Sequence, residues 1–145
     1  MQTLEVVLVL PILLLVSLAI FQFGILVLVQ QSVAHAATVT AREAAKGADV
    51  DELVLVANKI LAPHCIEIGA DAAVVLEDAT AAPTIDYRGK LTCNPPVDPP
   101  TYADEVRTTI CVGLRQKPFL TALEAYGIDF SGKRFEISSL AKKEE

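Results

Sequence analysis

Glu5 is the only charged side chain before Arg42, and the run that follows it, Val6 to Val29, holds nothing more polar than Ser17 and Gln22. An unpaired carboxylate at the lip of such a run is expensive, and a cation beside it in low dielectric is strongly attracted. The chemistry this offers is pairing. With the free α-amino group of a neighbouring subunit inside an apolar bundle, Glu5 would fix the axial register of two helices. The plain alternative is a carboxylate resting in the headgroup layer.

Three further positions in the run bear on helix contact. Ser17 and Gln22 could hydrogen-bond between helices, at roughly 0.5–2 kcal/mol each. Ser17 could equally bond back to its own helix. Gly24 would allow close approach of two backbones. Pro11 removes a hydrogen-bond donor and crowds the carbonyl of Val7, which predicts a kink or local loosening over residues 7 to 11.

Beyond the run, the reactive side chains are few. Cys65, Cys93 and Cys111 are odd in number, so at most one internal disulfide forms. Linking Cys65 to Cys93 would close a long loop and contribute about 3–4 kcal/mol in the chain-entropy model. Cys93 with Cys111 is the competing pair. The first is the expectation, with Cys111 reduced and packed as a small apolar side chain. His64-Cys65 has the residue types of a thiol and its base, but adjacent residues rarely face each other, and no CxxC or HxxxH spacing supports a metal. Asp49, Asp51 and Glu52 resemble a fragment of a calcium loop without its further ligands, and helix capping accounts for them. Catalytic, cofactor-binding and metal-binding residues are therefore all set at none.

These residues must be held by two kinds of structure. A helix of the Val6–Val29 length crosses a hydrocarbon core of about 30 Å. Residues 30 to 46 are Ala-rich with few breakers, so the helix is expected to continue to Gly47, with Val33, Ala37, Thr40 and Ala44 on one face. A cleaved secretory signal would need a basic n-region and a shorter apolar core, although Ala34, Ala36 and Ala37 imitate its cleavage site. A second helix is expected between a cap at Asp49 or Asp51 and a stop at Pro63, burying Leu53, Val56, Ala57, Ile60 and Leu61.

The period then changes to two. Ile66, Ile68, Ala72, Val74 and Leu76 alternate with acids, with Gly69 as an expected bulge. Residues 79 to 101 hold most of the prolines and read as a long surface loop. Alternation returns from Val106 to Leu114. Pro118 opens an expected short helix to about Tyr126, Gly127 to Gly132 a turn, and Lys133 to Ser139 a last strand. The organisation is thus residues 1–47 as transmembrane and assembly helix and residues 48–145 as a small α+β domain, one helix on an antiparallel sheet. From Asp49 onward that domain is expected to fold alone.

With twelve basic and eighteen acidic residues the exterior is mildly acidic. A nucleic-acid binder needs a basic stripe against phosphates, so that class is set aside. No positive charge precedes the span, so flanking charge does not orient it. Arg42 and Lys46 lean toward a cytoplasmic C-terminal side, whereas three cysteines suit an oxidising compartment.

Glu5, the run VVLVLPILLL containing Pro11, the phrase IFQFG at residues 20 to 24 and the continuation ending AREAA resemble the TadE-like family of pseudopilins of tight-adherence (Flp-type) pilus systems. The resemblance covers about the first 45 residues. The family usually carries an acid where this chain has Gln22. What it implies is a pilin-like, non-enzymatic structural subunit: a minor pilin or pseudopilin, single-pass in the inner membrane, its C-terminal domain outside the cytoplasm, incorporated in or anchoring a pilus. Its partners would be other pilin and pseudopilin subunits, the pilus assembly machinery and the membrane. Precursors of such subunits are cut by a prepilin peptidase after a glycine, leaving glutamate fifth. Glu5 is already fifth here, which fits Met1 as the mature first residue, a start further upstream, or a member that is never cleaved. The alternative to a pilin role is a membrane-anchored extracytoplasmic binding module that does not polymerise, and a cysteine-based oxidoreductase is a distant third.

Overall fold

The computed structural model describes residues 2–81, 84–96, 103–114, 127 and 132–143, with side chains from residue 6 onward. Helix α1 spans Gln2–Ala45, and at 1.5 Å per residue its length is about 66 Å. It passes through Pro11 without interruption. Its end follows from Gly47, whose φ of 93° favours a residue without Cβ. Gly47 N–H donates to the Ala44 carbonyl and Ala48 N–H to the Glu43 carbonyl, which together satisfy the last turn.

Helix α2, Val50–Leu61, starts where Asp49 caps it, accepting from Val50 N–H at 2.8 Å. A single 3-10 turn at Ala62–His64 carries the chain past Pro63 and ends at Cys65, whose φ is 53°. Four strands follow: β1 (Ala72–Asp78), β2 (Ile85–Gly89), β3 (Glu105–Gly113) and β4 (Arg134–Lys142). They form one antiparallel sheet in the order β2-β1-β3-β4. The α+β class with a long apolar N-terminal helix is as the sequence predicts.

The details differ in instructive ways. Ile66 and Ile68 precede the first strand, and Gly69 turns rather than bulges: its N–H donates to the Ala72 carbonyl. Ile66 and Ile68 are nonetheless buried, because both belong to the layer beneath the helices. Strand β2 lies inside the segment expected to be all loop. Strand β4 runs three residues past Ser139. The expected helix from Pro118 to Tyr126 lies outside the described residues, as does most of the turn after Gly127.

One face of the sheet is the floor of the core. Ala72 and Val74 of β1 and Ile110 and Val112 of β3 pack against Ala57 and Leu61 of α2 and against Val29, Val33, Ala36 and Ala37 of α1. Complete burial of side chains such as Leu53, Leu61 and Ile110 stabilises by roughly 1.5–3 kcal/mol each. The small-residue face of α1 foreseen from Val33, Ala37, Thr40 and Ala44 is therefore real. Its partner is the chain's own domain, so a segment beginning at Asp49 would lack half of the helical layer over the sheet. Thr40 satisfies its hydroxyl within the helix, donating to Ala36 O at 2.8 Å.

The opposite face of β1 and β3 is also buried, at Ala73, Val75, Glu77, Arg107, Thr109 and Cys111. Residues 90–96 lie over it. Gly89 makes that crossing possible: its φ is 131°, and a Cβ there would stand 2.6 Å from the Ala73 Cβ.

Candidate functional site

The disulfide joins Cys93 to Cys111, which corrects the expected Cys65–Cys93 pairing. The reason is the layer order. Cys65 is exposed at the turn leading into Ile66 and Ile68, on the helical side of the sheet. Cys111 points to the other face, where the segment containing Cys93 lies. The sequence identified the loop to be stapled but not the face it would cover.

Polar contacts hold the same segment. Arg107 Nη2 donates to the Pro96 carbonyl at 3.0 Å, and Arg134 Nη1 to the Thr92 carbonyl at 3.0 Å. Arg107 and Glu77 are direct cross-strand partners and form a two-bonded ion pair at 2.5 and 2.8 Å, both side chains more than nine-tenths buried. A buried pair of this geometry holds register, because either partner left alone would be an uncompensated charge. Sequence reading passed over it; one acid and one base at inward-alternating positions of two otherwise apolar strands was the available signal.

A second cluster closes the far end of the sheet. Lys143 Nζ donates to Asp78 Oδ1 at 2.8 Å and also contacts Thr80 Oγ1. Burial alone would raise the Asp78 carboxyl. The bonds from Lys143 and from the Thr80 N–H and hydroxyl, with the lysine charge, outweigh it and hold the group below its ordinary value of 3.8.

His64 is tied to α1: its Nε2 lies 2.6 Å from Ser32 Oγ. The contact pairs a hydroxyl with a base, but among the described residues no carboxylate bonds to His64. Its effect is to latch the turn after α2 onto the long helix. No group of three potential metal ligands occurs among the described residues.

The surface that stands apart is α1 itself. From Val6 to Phe21 no side chain is buried, and Val7, Leu13, Ile20 and Phe21 are among those well exposed. A 40-residue stretch, Val6–Ala45, is long and apolar enough to cross a membrane. Ser17 and Gly24 lie seven residues apart on the outward side, and no atom of the described residues comes within 4 Å of a Cβ placed on Gly24. Gln22 is turned inward instead, 2% exposed, and neither Nε2 nor Oε1 has a hydrogen-bond partner among the described residues. An amide left so costs about 1–3 kcal/mol relative to a paired one. The three polar or small positions singled out in the sequence therefore do not form one stripe. Glu5 lies in α1 close to the open end, its side chain outside the described residues.

Residues 1–42 match the model of a family described as TadE-like protein. No curated protein and no solved structure was found to match. The family match falls on the helix whose residues carried the resemblance.

Proposed function

We propose, from the premise of a TadE-like N-terminal helix, that this protein is a non-enzymatic pilin-like subunit, a minor pilin or pseudopilin of a tight-adherence pilus. In this reading it is held in the inner membrane by α1 with its α+β domain outside the cytoplasm. The observation that carries the proposal is the contrast along one continuous helix. From Val6 to Phe21 it is apolar with no side chain buried, whereas its second half is built into a domain. Such a helix buries its open half either in lipid or among like helices, and small positions such as Ser17 and Gly24 suit the second. The Cys93–Cys111 bond supports an oxidising compartment for the domain.

Glu5 is the residue on which assembly turns. Substitution Glu5→Ala leaves membrane insertion intact, because it only makes the segment more apolar. Recovery of the subunit in sheared filaments, and its co-purification with other pilin subunits, falls sharply. Normal assembly by the alanine variant would remove the register role and favour an anchored binding module that never polymerises.

A further inference from the structure

We infer that the domain carries a head-to-tail contact surface for a second copy of this chain: a cleft between α1 and the free edge of β4 receives the outward face of α2 from its neighbour. The inference rests on the pilin-like reading above and names the partner surface that reading leaves open.

The cleft is lined on one side by Thr38, Val39, Arg42 and Lys46 of α1 and on the other by Leu140 and Lys142 of β4. Among the described strands β4 ends the sheet, so no described strand pairs with its outer backbone edge. Leu140 is 52% exposed beside it. Lys46 is paired with Glu43, and Lys142 with Asp104. Arg42 is left without a salt-bridge partner among the described residues.

The opposite side of the molecule presents the complement. Leu55 of α2 is 70% exposed, and Glu52 lies one turn before it on the same face, with no salt bridge among the described residues. Asp49 and Asp51 lie beside it, and Asp51 and Asp86 together flank the single Arg88. Lys59 stands exposed one turn after Leu55 on the same face. The edge thus sets Asp49, Asp51, Glu52 and Asp86 against Arg88 and Lys59 and is net negative, with one large apolar side chain, Leu55, at its centre. The cleft is net positive and carries another.

Height decides whether the two can meet. Helices inserted in one membrane are parallel, and neighbours differ little in depth. Leu53 packs with Ala44 and Ala45, whereas Ala57 and Leu61 pack with Val33, Ala36 and Ala37. Glu52 and Leu55 thus stand level with about residues 38 to 46 of α1, the height of the cleft. Side-by-side copies bring Glu52 to Arg42 and Leu55 to Leu140 without tilting either helix. A symmetric contact would set two acidic edges, or two Arg42 side chains, against each other. Only the head-to-tail arrangement matches charge, and a contact of that type that does not close propagates into a helical array.

The test uses the full chain in membranes, in a Cys65→Ser background that keeps the Cys93–Cys111 bond. Chains carrying both Leu55→Cys and Leu140→Cys should form a ladder of crosslinked species on mild oxidation. A mixture of the two single variants should stop at dimers. Adding Arg42→Glu should lower the crosslinked fraction about fivefold, the scale of one exposed ion pair, and Glu52→Arg in the same chain should restore it. Crosslinking by Leu140→Cys alone, at the efficiency of the pair, would show a symmetric contact and overturn the inference. So would an unlinked double variant whose copies still crosslink through single cysteines at Val9, Leu13 or Ile20. If those helix positions also fail, copies of this chain do not associate and the inference is overturned. The pilin-like reading falls only if the unmodified subunit is also absent from sheared filaments and from complexes with other pilin subunits.

Discussion

Breaking the Cys93–Cys111 bond isolates one physical effect, because the segment it staples is also held by other means. The bonded cysteines are 18 residues apart. A loop of that size corresponds to about 3 kcal/mol of unfolded-chain entropy removed at 25 °C. The loop contains Pro95, Pro96, Pro99 and Pro100, which already restrict the unfolded chain, so about 2–3 kcal/mol is the better expectation. In the native state the Arg107 and Arg134 bonds to the Pro96 and Thr92 carbonyls survive, and Cys111, fully buried, is accommodated as a thiol. Substitution Cys93→Ala should therefore leave the native circular dichroism and the exchange protection of β3 unchanged. The urea midpoint of the detergent-solubilised protein should drop by an amount worth 2–3 kcal/mol. Cys65→Ser, outside the bond, should change neither the spectrum nor the midpoint. A loss below about 1 kcal/mol would refute the entropic argument. A native spectrum altered along β3 would show instead that the bond itself holds the segment against the sheet.

Glu77→Leu or Arg107→Met alone should destabilise by about 3–5 kcal/mol, because each leaves a buried charge without its partner, whereas the double variant should recover most of that loss; equal and additive losses in a denaturation cycle would refute the pairing argument. A chain beginning near Leu28 should be soluble and melt cooperatively, and one beginning at Asp49 should aggregate, since it lacks the Val29, Val33, Ala36 and Ala37 side of the core; a cooperative melt of the shorter chain would contradict this. The stability contributed by Asp78, whose folded carboxyl lies below 3.8, is present above that pH and lost as the pH falls through the folded value. Asp78→Asn should flatten the stability profile in this acid window, and an unchanged profile would remove the Lys143 contact as its cause.

What the sequence determined by itself were the elements whose signal is local. The long helix follows from an unbroken apolar run and an Ala-rich continuation, its end from Gly47, and α2 from Asp49, its buried stripe and Pro63. Strand β3 follows from alternation, and the family likeness from Glu5, Pro11 and IFQFG. Tertiary structure alone decided how these pieces share faces. Strand β2 is short, and its side chains alternate weakly because it sits at an edge, so it hid in a polar, Pro-containing stretch. The disulfide partner depended on which side of the sheet residues 90–96 cover, and loop sequence does not encode a side. Glu77 and Arg107 are 30 residues apart and become a pair only when β1 and β3 align. The same holds for α1: periodicity showed that Val33, Ala37, Thr40 and Ala44 form a face, but a face of small residues fits a neighbouring subunit as well as the chain's own sheet. Only burial against α2 and the strands settles that choice, because packing is a property of the partner's shape as much as of the helix.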